Sequence, residues 1–62
     1  MFCIAFKRSE VSEVTWLWGV NPSVIKTTKV KAEAAVFTEK AARERVKRLQ
    51  SLGYKHVNAL PV

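Results

Sequence analysis

Aspartate is missing from this chain altogether, which weighs against magnesium, calcium and phosphoryl-transfer chemistry, where it is the most used ligand and catalytic residue. Glycine is scarce: Gly19 and Gly53 are too few for a glycine-rich phosphate loop. The lone cysteine, Cys3, cannot close a disulfide within the chain, and with His56 the only histidine there is no zinc-binding spacing. No metal or cofactor is expected. No apolar run approaches the roughly 20 residues that cross a bilayer. The chain opens on Met1 and an apolar stretch without a basic n-region or a cleavage site. These absences together predict a reducing, cytoplasmic setting and no membrane partner.

What is present is apolar and basic. Hydrophobic residues make up 48% of the 62, too many for a disordered tail, so residues 1–62 are expected to form one domain. A chain this short hides only about 60% of the surface it exposes when unfolded. Its core is therefore thin, and a homodimer or another partner would add to it. Eleven Lys and Arg against five Glu give a net charge of +6, a field that attracts phosphates or an acidic protein surface.

The clearest local signal is Thr38 to Tyr54, TEKAARERVKRLQSLGY. Thr38 suits a helix N-cap, Glu39 the positive end of the helix dipole, and Gly53 a left-handed stop. The helix should run from Glu39 to Leu52. At about 100° per residue, Ala41, Ala42, Val46, Leu49 and Leu52 share one arc, with Lys40, Arg43 and Lys47 opposite. Tyr54 is placed to fold back on Leu49.

Strand signals flank it. In Phe2 to Lys7 the residues Phe2, Ile4 and Phe6 alternate with Cys3, Ala5 and Lys7, and in Glu13 to Trp18 the residues Val14, Trp16 and Trp18 alternate with Thr15 and Leu17. The two make an antiparallel hairpin. Gly19 with Asn21, Pro22 and Ser23 is turn chemistry. Val24 to Phe37 supports two readings: a strand from Lys29 to Phe37, or a helix starting near Thr28 that continues to Leu52. The strand is preferred, because Thr38 reads as a true helix start and the longer helix would begin on Thr and β-branched residues. Tyr54 to Leu60 is a last strand, ended by Pro61.

The predicted fold is thus α+β, a small β-β-β-α-β domain in which an antiparallel hairpin joins a strand–helix–strand unit and the helix covers one sheet face. A right-handed crossover would set the last strand parallel to the one before the helix. One helix cannot cover four strands, so the far face, to which Cys3, Ala5, Leu17, Phe37 and Leu60 are candidates, is left for solvent or another molecule. Residues 35–62 resemble the strand–helix–strand half of a SPOR domain, with Phe37, Ala42, Leu49, Gly53 and Tyr54 at its aromatic, small, aliphatic and turn positions. The likeness implies local fold alone.

Two groups of residues are candidates for function. Trp16 and Trp18 share a face of their strand and suit core, base stacking or a protein interface. Arg45 interrupts the apolar arc of the helix; it either snorkels to the edge, meets Glu13 or Glu33, or reaches a partner. Lys40, Arg43 and Lys47, with Arg48 and Lys55 nearby, form a basic cluster that would bind an acidic partner or nucleic acid, or stand solvated with Glu44 paired to Lys40 or Arg48. His56 and Cys3 are the candidates for catalysis, a base and a nucleophile that would meet only if the first and last strands adjoin. They are read instead as a half-exposed strand residue and a buried thiol. The expectation is a small non-catalytic protein that binds another protein, a regulator or inhibitor of the compact kind that mobile elements encode; the alternative is nucleic-acid binding by the basic helix face. An enzyme comes third.

Overall fold

The strand signal at the start of the chain is realised residue for residue. The computed structural model describes residues 1–19 and 23–62, and in it β1 spans Phe2–Lys7. Ile4 and Phe6 are fully buried on one face, with Phe2 packed at the edge of the same cluster. Cys3 and Ala5, on the other face, are also buried. A strand covered on both sides needs a near-continuous apolar run, and FCIAF supplies it.

The hairpin forms as β2, Thr15–Leu17, which pairs antiparallel with β1 through Ala5 with Trp16 and Phe6 with Thr15. It is shorter than the expected Glu13 to Trp18. The strand following it is β3, Thr27–Thr28, antiparallel to β2. Of the expected turn between them, Asn21 and Pro22 lie outside the described residues.

The expected strand from Lys29 to Phe37 does not form, and neither does the alternative helix. Thr28 decides this stretch. Its hydroxyl accepts from the Val30 N–H at 3.1 Å and donates to the Glu33 carboxylate at 2.8 Å. These local bonds compete with a ladder and curl Lys31–Glu33 into a single 3-10 turn. What remains of the strand is Ala35, whose N–H donates to the Leu17 carbonyl at 2.9 Å, and Phe37, which exchanges two backbone hydrogen bonds with Phe2 at 2.7 and 2.8 Å.

Helix α1, Glu39–Ser51, begins as read: the Thr38 side chain accepts from the Ala41 N–H at 3.3 Å. It ends in a Schellman motif, with Gly53 N–H donating to the Gln50 carbonyl and Tyr54 N–H to the Leu49 carbonyl, and Gly53 at φ +93°. Ala42 and Leu49 are buried and Ala41 and Val46 partly so, whereas Leu52, counted on the apolar arc, is exposed at the cap.

The last strand, β4, spans Lys55–Pro61 and pairs with β1, so the sheet order is β3-β2-β1-β4 and every pairing is antiparallel. The expected parallel crossover is absent, because the chain passes from one sheet edge to the other instead of returning beside its last strand. The architecture is nonetheless the predicted α+β domain, one helix lying on one face of a four-stranded sheet. Its core joins Ile4, Phe6, Leu17, Phe37, Ala42, Leu49 and Val57. Leu17 and Phe37 therefore belong to the helix side, not to the far face. The Tyr54 ring closes one end of the core, edge-on to Phe6 with centroids 5.0 Å apart.

The register of β4 slips between the Ala5 and Lys7 pairings, a bulge that carries His56 at φ +51°. The bond from Val62 N–H to the Met1 carbonyl sets the phase of the ladder, so Pro61 falls at a position facing away from β1. That is where a residue without an N–H is tolerated.

Candidate functional site

The face of the sheet opposite α1 carries the two tryptophans. Trp16 stands across from Ala5 on this side, while its neighbour Leu17 points into the core. Trp18 lies two residues on, and its N–H donates to the Lys26 carbonyl at 2.8 Å, which continues the ladder past Leu17 and Thr27. Trp16 is half-buried and Trp18 is 47% exposed. Each indole has a lysine over it: Lys31 Nζ is 5.4 Å from the Trp16 ring and Lys26 Nζ is 5.4 Å from the Trp18 ring. The arrangement is a pair of cation–π contacts at the surface.

Beside them lies an open apolar groove lined by Cys3, Ala32, Ala34, Val36 and Val62, with Lys31 shared between it and Trp16. Its floor is sealed, Cys3 being only 2% exposed, while Val36 and Val62 stand out at the rim. The 3-10 turn and the segment after it therefore cover part of the far face that one helix could not reach. This cover was not foreseen, because the alanines of AEAAV suit a strand or a helix equally well.

The remaining candidates are elsewhere. Arg45 is on α1, half-buried, with its guanidinium carbon 5.6 Å from the Phe37 ring, so its stem runs over the core edge on the face opposite the tryptophans. Lys40, Arg43 and Lys47 do share one side of α1, but Glu39 and Glu44 share it with them. Arg43 is held by Glu39 at 2.8 Å, four residues back. That pair forms in place of the one expected from Glu44, which has no ion-pair partner among the described residues. Arg48 is exposed near the end of α1, and Lys55 stands across from Lys7 at the start of β4.

β1 and β4 do adjoin, yet Cys3 pairs opposite Leu60 while His56 lies at the other end of β4. His56 was read as an ordinary strand residue. Its left-handed backbone instead turns the imidazole to Glu10, in the loop between β1 and β2, with Nε2 and Oε2 2.8 Å apart. That hydrogen bond, and the imidazole's charge when protonated, hold the Glu10 carboxyl below its ordinary range against a small opposing effect of desolvation, with Lys55 and Lys7 adding to the shift. No sequence signal marks the partnership, since a separation of 46 residues has no periodicity to read.

No protein family, curated protein or solved structure matches the chain. The likeness to half a SPOR domain thus rests on the five residues quoted for it. Among the described residues, no helix is long and apolar enough to cross a membrane.

Proposed function

We propose that this chain is a small non-catalytic protein that works by binding another protein, through the sheet face that carries Trp16 and Trp18. One observation carries the reading: Trp18, a large indole in a chain with little core to spare, is half out in solvent on the same sheet face as Trp16, which shares Lys31 with an open apolar groove. Exposed aromatic groups of this kind are what interface hot spots are made from. Lys26 and Lys31 at the indoles, on a chain of net charge +6, favour an acidic partner. Regulator or inhibitor is the role proposed for such a face, and Cys3 and His56, at opposite ends of the β1–β4 ladder, do not make a nucleophile–base pair. The unpaired Cys3 thiol fits a reducing, cytoplasmic setting.

Nucleic-acid binding by Lys40, Arg43, Lys47, Arg48 and Lys55 is the second reading, and it is weaker because two carboxylates interleave with the first three cations. Affinity purification of the tagged chain from host lysate, with and without nuclease, separates the two. Capture of a protein that survives nuclease and is lost in the Trp16→Ala, Trp18→Ala variant is expected. Capture that nuclease abolishes, or that the folded double variant retains, overturns the first reading. Arg45, on the opposite face, should be neutral in the same assay. A homodimer is the remaining proposal, and sedimentation velocity tests it: self-association through this face juxtaposes the lysines of two copies, so it should strengthen as salt rises.

A further inference from the structure

The tryptophan face has a repeat that the reading above does not use. Trp16 and Trp18 are two residues apart on one strand, so their anchor points lie about 7 Å apart along it. Each indole is topped by its own ammonium, Lys31 and Lys26. A second extended chain laid along β2 rises by the same step per residue, so its side chains at alternate positions stay in register with the two indoles, each of which carries one lysine. One face of each ring already carries a cation. A nucleobase would have to displace an ammonium to stack there, whereas a carboxylate joins the ammonium and leaves it over the ring.

Resting on the protein-binding reading, we infer that the segment of the partner seated on this face is extended and acidic, with carboxylates on alternate residues held by Lys26 and Lys31. The carboxylate-bearing stems lie against the indoles, and the groove shared through Lys31 takes apolar side chains flanking the acids.

The two indole N–H resonances report on this face directly. The chain is titrated with three eight-residue peptides: alternating Glu and Ser, alternating Gln and Ser, and a clustered one of two Glu-Glu-Ser-Ser repeats, in which no two acids are two residues apart. The alternating acidic peptide should move both indole signals and bind roughly fivefold more tightly than the clustered one, the difference of about one exposed ion pair. The Gln peptide should leave the signals in place. The Lys26→Glu, Lys31→Glu variant should lose the acidic peptide and respond instead to alternating Lys and Ser.

Equal affinity for alternating and clustered acids overturns the spacing, and equal affinity for the Gln peptide overturns the charge. Indole shifts with oligothymidylate but not with the acidic peptide overturn both in favour of base stacking. The two proposals fail separately. If partner capture from lysate depends on the tryptophans but is untouched by the lysine reversal, the acidic segment is wrong and the protein interface stands. If capture ignores the tryptophans, the interface itself is wrong.

Discussion

Gly53 offers a clean measurement of backbone strain in this fold. At φ +93° it holds a conformation that L residues rarely adopt, and a Cβ built there meets no atom within 4 Å. Any cost of Gly53→Ala is therefore torsional, not steric. A left-handed L residue costs about 1–2 kcal/mol, and the stiffer unfolded chain returns about 0.4–1. The variant should be less stable by about 1 kcal/mol, out of the roughly 3–9 expected of a chain this size. With a urea slope of about 1 kcal/mol/M, the unfolding midpoint followed by tryptophan fluorescence should fall by about 1 M. A synthetic chain with D-alanine at the same position accepts positive φ and keeps the unfolded-state gain, so its midpoint should rise by about 0.5 M. Opposite signs for the two enantiomers are the signature. An L-alanine variant that unfolds at the wild-type midpoint refutes the reasoning, and two enantiomers that destabilise equally refute the open space around the site.

Thr38→Ala removes the acceptor for the Ala41 N–H and should cost about 1 kcal/mol in the same urea experiment, with Thr38→Asn restoring most of it. Glu10→Gln tests the link from β4 to the loop after β1. Because Glu10 has a lowered carboxyl pKa in the fold, its contribution is present above the ordinary value of 4.5 and is lost as pH falls through the lowered one. The wild-type chain should therefore lose stability across that acid window, and thermal melts of Glu10→Gln should be flatter there. Parallel curves would remove His56 and Glu10 from the account of pH dependence.

The parts legible in the sequence are those where a short-range pattern and the tertiary environment ask for the same residues. In β1 the alternation of Phe2, Ile4 and Phe6 coincides with the core. In α1, Thr38 and Gly53 mark ends that are local in origin. The stretch from Lys29 to Phe37 failed because the Val30 N–H goes to the Thr28 hydroxyl and the Glu33 and Ala34 N–H groups to carbonyls three residues back, local bonds that no periodicity records. Strand order failed for another reason, since a crossover rule cannot say that the chain will span the whole sheet. At the candidate site, the tryptophans were visible as a pair on one face. The lysines above them were not, because Lys31 approaches Trp16 only through the 3-10 turn.

The outward rim of β4 has one further consequence. Of its seven residues, the bulge at His56 twists one end out of line and Pro61 withholds an N–H at the other. Ala59 is left between them as the residue with both main-chain groups free to recruit a neighbouring strand. A foothold that small cannot template growth of stacked sheets. Along β4, then, a neighbouring copy finds too short a rim to extend the sheet.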